Sequence, residues 1–188
     1  LTEDLAEVDI GTGASRPEST WSQTLGGDLY FGARASADDD LELWSTDGTT
    51  VGTVRVGSLP SPPGSAVAYF ARAGDRLMIF VQRNDESAIT DLWSSDGTLA
   101  GSEKIASLRM GFFPALAAGA SRLFFTAPAP DDPSPLSQAL WVTDGTGAGT
   151  RMLTHFSPEE GFDWCSSSPR IFGDELLHGP STSELVVV

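Results

Sequence analysis

The chain contains very few of the residues that usually carry enzyme chemistry. Among its 188 residues there is one cysteine, Cys165, one lysine, Lys104, and two histidines, His155 and His178. A single cysteine excludes an intrachain disulfide and a cysteine-rich metal cluster. The sequence has no HExxH motif, no GxSxG motif and no phosphate-binding loop. Enzymes that depend on those motifs are therefore disfavoured, and we interpret the histidines and the thiol as structural.

Basic residues and long apolar runs are also scarce. There are 11 basic residues against 26 acidic ones, which gives a formal net charge of -15. No apolar run reaches the roughly 18 residues of a membrane-spanning helix. A field of this sign repels phosphate backbones and anionic lipid surfaces, so nucleic acid and membranes are disfavoured partners. Cations, neutral glycans and basic protein surfaces remain compatible with it.

One segment of eleven residues is repeated three times. It begins at Leu43 as LWSTDGTTVGT, at Leu92 as LWSSDGTLAGS and at Leu140 as LWVTDGTGAGT, and its tryptophans are 49 and 48 residues apart. A second landmark, an apolar run, starts at Leu29, Leu77, Leu123 and, more weakly, Leu176. A period of this length is typical of the blades of a β-propeller. The sequence therefore consists of four modules, three of which carry the tryptophan motif.

Each module is predicted to form four short strands. In the second module these are SAVAYFARA, RLMIFVQR, ITDLWSS and SEKIASL, and Gly74-Asp75 separates the first two. The Asp-Gly pair between the third and fourth runs predicts a tight type I′ hairpin. No helical periodicity is present, so the chain is predicted to be all-β.

These modules predict a single domain, residues 1–188, folded as a four-bladed β-propeller of four-stranded antiparallel blades. Blades 1 to 3 are expected at about 17–59, 64–108 and 111–156. The last blade is expected to combine 162–188 with an N-terminal strand at 4–10, which would close the ring and leave no free sheet edge. Trp44, Trp93 and Trp141 are expected to fill the gaps between neighbouring blades.

The repeats resemble a known family. The segments LELWSTDGTTVGTVRV, DLWSSDGTLAGSEKI and ALWVTDGTGAGTRML are similar to the ELWxxDGT repeat of bacterial propeller-like proteins, many of them large and secreted or surface-associated. The fourth module has only ELVVV at this position and lacks the DGT turn. The resemblance implies a propeller fold and an extracellular or cell-surface location, and it implies no particular reaction. The N-terminal LTEDLAEVDI is no signal peptide, so the chain is expected to be cytoplasmic or a mature or excised form.

Two sets of residues are candidates for a site. The first set is the repeated motif, which we interpret as structural turn capping, with a calcium site as the alternative: Trp44, Asp47, Gly48, Trp93, Asp96, Gly97, Trp141, Asp144 and Gly145. The second set consists of acids in the connectors between second and third strands, which could form a negative ring for a cation or a basic partner: Asp39, Asp40, Asp85, Asp131 and Asp132. Solvated loops are the alternative for the second set.

Two functions from different classes fit these observations. The first is a non-catalytic binding or assembly module that holds a protein, a glycan or an ion on a propeller face or in its central channel. Calcium or sodium held by channel carbonyls belongs to this hypothesis, against the alternative that no specific ion binds. The second is a glycan hydrolase with two carboxylates at the channel mouth. Repetition favours the first, because catalysis needs one unique constellation of residues.

Overall fold

The described part of the chain is built from β-strands alone. The structure is a computed structural model, and it describes residues 22–33, 40–85, 87–110, 115–131, 138–156, 170–172, 175–178 and 186–187. No helix occurs within these ranges, so none of them contains a helix that is long and apolar enough to cross a membrane. The prediction of an all-β fold is confirmed for this part of the chain.

The described strands form three four-stranded antiparallel sheets and one three-stranded antiparallel sheet. Sheet 1 contains β1 (Ser22–Leu25), β2 (Asp28–Ala33), β3 (Leu41–Thr46) and β4 (Val54–Leu59); sheet 2 contains β5 (Ala66–Ala73), β6 (Arg76–Gln82), β7 (Ile89–Ser95) and β8 (Glu103–Arg109). Sheet 3 contains β9 (Leu116–Ala118), β10 (Leu123–Ala127), β11 (Gln138–Thr143) and β12 (Arg151–Phe156). Sheet 4 contains β13 (Arg170–Phe172), β14 (Glu175–His178) and β15 (Val186–Val187). The expected N-terminal strand at 4–10 lies outside the described residues.

Strand order follows chain order in every sheet, because each strand pairs with the next one through a hairpin. The β1–β2 hairpin turns over Gly26 and Gly27, whose φ angles of 64° and 105° require glycine. In sheet 2 the apolar run of β6 is buried on both faces: Leu77, Ile79 and Phe80 have no exposed surface. Continuous apolar character in the sequence therefore corresponds to a strand between two cores, as expected for a sheet covered on both sides.

The sheets are stacked face to face, and they approach one another most closely along their first strands. Strand β1 contacts β5, β5 contacts β9, and β9 contacts β13. One apolar cluster joins sheets 1 and 2, with Tyr30 and Leu43 packed against Ile79 and Trp93. A second cluster joins sheets 2 and 3 and includes Met78, Phe80, Leu92, Leu108, Leu123, Phe125 and Trp141. Trp93 of sheet 2 and Trp141 of sheet 3 therefore each face the preceding sheet.

A β-bulge precedes the repeated tryptophan in all three four-stranded sheets. The strand register shifts between Leu43 and Trp44, and the same shift recurs at the equivalent pairs Leu92/Trp93 and Leu140/Trp141. The additional residue lies in the fourth strand of each sheet: it is Val56 in sheet 1, Ile105 in sheet 2 and Leu153 in sheet 3. All three pack against an apolar cluster. The bulge therefore places an extra aliphatic side chain in the core, which alternation along the strand does not predict.

The connection between third and fourth strands differs from the predicted tight hairpin. It spans seven residues, 47–53 in sheet 1, and equivalent seven-residue connections occur at 96–102 and 144–150. Only the glycine of each Asp-Gly pair has a positive φ, whereas a type I′ turn needs positive φ at both positions. The type I′ prediction was wrong because the aspartate side chain bonds to backbone within a longer loop.

Candidate functional site: the Asp-Gly-Thr loops

The three loops at 47–53, 96–102 and 144–150, here called the Asp-Gly-Thr loops, lie at the same end of the third strand in sheets 1, 2 and 3, and most of their residues are exposed. They contain the aspartates and glycines of the repeated motif. The same side-chain hydrogen bonds, with nearly the same lengths, occur in all three loops. The loops are therefore a polar feature that is repeated three times in the described structure, and they form the candidate functional site.

The aspartate of each loop is held by the threonine two residues later. In the first loop Asp47 Oδ1 accepts hydrogen bonds from the Thr49 backbone N–H, at 2.9 Å, and from the Thr49 hydroxyl, at 2.7 Å. The Thr49 hydroxyl oxygen in turn accepts the Gly52 N–H at 2.9 Å. The same three bonds join Asp96, Thr98 and Gly101, and Asp144, Thr146 and Gly149, with lengths between 2.7 and 3.0 Å. We call this chain the carboxylate relay.

A second chain of hydrogen bonds closes the base of each loop. In the first loop the hydroxyl oxygens of Thr46 and Thr53 are 2.7 Å apart, and the Thr53 hydroxyl donates to the Thr49 carbonyl at 2.8 Å. A hydroxyl has one proton, so Thr46 is the donor to Thr53. The Thr46 oxygen also accepts the Gly48 N–H at 3.0 Å. We call this chain the hydroxyl relay.

The hydroxyl relay is repeated with either serine or threonine. Ser95 and Ser102 form it in the second loop, and Thr143 and Thr150 form it in the third, again with 2.7 Å between the two hydroxyl oxygens. The sequence interpretation did not include these six residues. The signal that identifies them is the hydroxyl residue immediately before each Asp-Gly pair and again six residues after the aspartate.

These bonds stabilise the ionised form of the three carboxylates. The Thr49 hydroxyl and then the Thr49 N–H lower the pKa of Asp47 below its ordinary value, and Thr98 does the same for Asp96. The pKa of Asp144 is lowered in the same way by Thr146. A carboxylate that accepts several hydrogen bonds is easier to ionise. The loops therefore carry three fixed negative charges at neutral pH.

Two glycines in each loop have separate steric reasons. Gly48, Gly97 and Gly145 have φ angles of 90°, 91° and 89°, which residues other than glycine rarely adopt. Gly52, Gly101 and Gly149 have ordinary φ, but a Cβ there would overlap the carboxylate of Asp47, Asp96 and Asp144, respectively. The motif therefore needs its first glycine for backbone conformation and its second for the close approach of the carboxylate.

The second and third loops also pack against the preceding sheet. A Cβ on Gly97 would collide with the phenol of Tyr30 in sheet 1, and one on Gly145 would press on Arg76 in sheet 2. Leu99 of the second loop lies over Gly57 of β4. Burial raises the pKa of Tyr30, as do the charges of Asp28 and the loop's Asp96. These loops therefore contribute to sheet stacking as well as to hairpin closure.

The first loop has no such contact among the described residues. A Cβ on Gly48 would meet nothing within 4 Å, and Val51 is 91 % exposed. Gly48 is exposed, Gly97 is half-buried and Gly145 is buried. The three loops are therefore alike in internal bonding and different in surroundings.

The connector acids are only partly described. Asp39 and Asp132 lie outside the described residues, while Asp40, Asp85 and Asp131 are exposed. Asp85 Oδ1 accepts the Ser87 N–H at 3.0 Å and also the Ser87 hydroxyl, and these bonds lower its pKa. In the described part of the chain no three histidine, cysteine or acidic side chains are grouped as metal ligands would be. Asp85 is thus a loop-capping residue, and a negative ring stays a prediction.

A buried ion pair within sheet 2 was not anticipated. The side chain of Asp91 in β7 is only 2 % exposed, and Arg83 binds it through Nη2–Oδ1 and Nε–Oδ2 bonds of 2.9 and 3.0 Å. The Ser107 hydroxyl donates to Oδ1 at 2.6 Å, and Lys104 Nζ lies 3.7 Å from the same oxygen. Burial raises the pKa of Asp91, but the bonds from Arg83 and Ser107 outweigh it, so the pKa is lowered. Local sequence carries no signal for this pairing.

The three tryptophans have different environments. Trp93 and Trp141 are each 8 % exposed, and neither indole N–H has a hydrogen-bond acceptor. Trp44 is half-buried, and its N–H donates to Glu42 at 3.1 Å. Stacked in an inter-sheet core, the indoles of Trp93 and Trp141 cannot serve as exposed platforms for a sugar ring. His155 is exposed, and Cys165 lies outside the described residues.

In comparisons with known proteins, no protein-family model and no curated protein matches the chain. The resemblance to ELWxxDGT repeat proteins therefore depends on the three repeated segments themselves.

Proposed function

We propose that the chain is a non-catalytic binding or assembly module built as a closed four-bladed β-propeller. Support for the ring comes from the contacts between successive sheets, which run through their first strands. Sheets that splay outward from their first strands are arranged radially, as propeller blades are. A ring of four such blades requires sheet 4 to contact sheet 1 as well as sheet 3.

The outer face of sheet 1 supports this closure. In sheets 2 and 3 the face that carries the tryptophan is covered by the preceding sheet. On this face Leu77, near the start of β6, and Leu123, at the start of β10, are fully buried. The equivalent residue of sheet 1, Leu29, is 38 % exposed, and Phe31 beside it is half-buried. This face is therefore less covered than the equivalent faces of sheets 2 and 3. Sheet 4, completed by the segment at 4–10, is the occupant we propose.

The observation that carries the non-catalytic assignment is the threefold repetition of both relays. The hydroxyls of each loop, together with the aspartate Oδ1, are engaged in bonds that maintain the loop itself. Three equivalent loops are suited to a binding surface that contacts its partner at several equivalent points, whereas catalysis needs one distinct set of residues. The net charge of -15 favours a partner that is neutral or basic. A neutral glycan or a protein with a basic surface is the proposed ligand, and an extracellular or cell-surface location agrees with the repeat resemblance.

One experiment compares binding with hydrolysis on the same sample. The immobilised chain is titrated with soluble neutral polysaccharides and with a basic protein such as a histone, and the polysaccharide chain length is measured before and after contact. We expect saturable binding to one of the two classes and an unchanged chain length. Shortening of a polysaccharide that disappears when a single carboxylate is replaced by its amide would instead establish the hydrolase. Absence of saturable binding to either class would contradict the binding role.

A further inference from the structure

Each Asp-Gly-Thr loop contains a dipeptide that is chemically prone to spontaneous rearrangement. Asp47-Gly48, Asp96-Gly97 and Asp144-Gly145 are the only Asp-Gly pairs of the chain, and the single asparagine, Asn84, is followed by aspartate. In such a pair the glycine nitrogen attacks the aspartate Cγ, a C–N bond forms and water leaves, giving a succinimide. Water then opens the ring at either carbonyl, which yields aspartate or isoaspartate. No oxidant or other reagent is needed.

This rearrangement has two requirements, and the loops oppose both. The attacking nitrogen must lose its proton and approach Cγ, but the Gly48 N–H donates to the Thr46 hydroxyl at 3.0 Å. The carboxyl group must be protonated so that its oxygen can leave as water, but Asp47 Oδ1 accepts two bonds from Thr49. The same donors lower the pKa of Asp47. In the other two Asp-Gly pairs the glycine N–H and the aspartate Oδ1 are engaged in equivalent bonds.

We infer that the carboxylate and hydroxyl relays hold three rearrangement-prone Asp-Gly bonds in an unreactive arrangement, so that each loop is a latent isomerisation site that reacts when its relay is broken. The relays thereby give the motif a second role beside hairpin closure. Isoaspartate inserts an extra backbone carbon, so its formation would move the following threonine out of register with the carboxylate. A loop that has reopened to isoaspartate no longer has the spacing that its relay needs.

The three loops allow a test with controls inside one molecule. In Thr98→Val the second loop loses the hydroxyl that donates to Asp96 and accepts from Gly101, while the other two loops keep theirs. The variant and the wild type are kept near neutral pH at body temperature for several weeks, and isoaspartate is quantified in each loop peptide by mass spectrometry. Losing one hydrogen bond to a charged group corresponds to about a tenfold change. We expect isomerisation about tenfold faster at Asp96 only, and native-like rates in Thr98→Ser, which retains the hydroxyl.

Two results would overturn the inference. One is an Asp96 rate in Thr98→Val that equals the wild-type rate. The other comes from wild-type chain alone: if the three pairs isomerise as fast in the folded protein as in the same protein unfolded in urea, the relays give no protection. That second comparison does not depend on how well any variant folds, and a variant that unfolds is recognised because all three peptides then react faster together.

Discussion

The guanidinium of Arg83 binds the buried carboxylate of Asp91 through two parallel hydrogen bonds, between the end of β6 and the middle of β7. The equivalent acid in sheet 1, Glu42, is instead paired with Arg55 at 2.6 Å, where both side chains are partly exposed. The same position of the repeat therefore carries an ion pair in two different environments. This difference gives a prediction with its own control.

Arg83→Ala should destabilise the protein by about 3 kcal/mol, because it leaves a buried carboxylate without its main partner. Arg55→Ala, which breaks the exposed pair, should cost no more than about 1 kcal/mol. Urea unfolding of both variants measures the difference. Equal losses would show that the burial of Asp91 has no energetic consequence.

The same carboxylate predicts how stability depends on pH. The pKa of Asp91 is lowered from 3.8, so the folded chain holds this proton less tightly than the unfolded chain does. Its contribution to stability is therefore present above the unfolded pKa and is lost as pH falls through the folded pKa. The acid-induced loss should be smaller in Asp91→Asn than in wild type. A pH profile of the unfolding free energy that is identical in the two proteins would contradict the assignment.

The buried tryptophans, Trp93 and Trp141, should contribute more to folding stability than the half-buried Trp44. Trp93→Ala should cost about 3–5 kcal/mol, since it removes an inter-sheet side chain and leaves a cavity. Trp93→Phe should cost much less, because it also removes an indole N–H that has no acceptor, an arrangement that itself costs about 1–3 kcal/mol. Thermal or urea melts test both. A loss below about 1 kcal/mol for Trp93→Ala would indicate that the indole is exposed in solution.

Two glycines in the third loop should respond in opposite ways to alanine. Gly149→Ala places a methyl group on the Asp144 carboxylate and should cost about 1–3 kcal/mol, as overpacking does. Gly147→Ala meets only the Ile105 carbonyl, at 3.4 Å, and should be neutral or stabilise by up to about 1 kcal/mol. The other loops have Thr50 and Leu99 at the position of Gly147, so side chains are accepted there. Similar losses for both variants would mean that the carboxylate does not occupy the described place.

An ion in the central channel of the proposed ring remains a prediction that a simple measurement decides. If backbone carbonyls of the innermost strands hold calcium, the melting temperature should rise with calcium concentration and fall in chelator. Ionic strength must be matched, because the large negative charge is also screened by salt. Identical melting temperatures in both solutions would exclude a specific calcium site.

The sequence allowed the strands of sheet 2 to be placed within about one residue, because apolar runs bounded by turn residues directly determine β structure. It misplaced the Asp-Gly turn, since a dipeptide rule does not include the side-chain bonds of Thr46, Asp47 and Thr49 that hold a longer loop. The bulge before each tryptophan and the Arg83–Asp91 pair were missed for a related reason. Both depend on how strands are registered and stacked, and that is decided by neighbours far apart in the chain.

The central claim is that sheets 1 to 4 form one closed ring, and removal of residues 1–10 tests it most directly. Melting temperature and molar mass are measured for the wild type, for the shortened chain, and for the shortened chain with a synthetic peptide of residues 1–10 added. A closed ring predicts a lower melting temperature and self-association on truncation, both reversed by the peptide but not by a scrambled peptide of the same composition. A shortened chain that stays monomeric with unchanged melting would contradict closure.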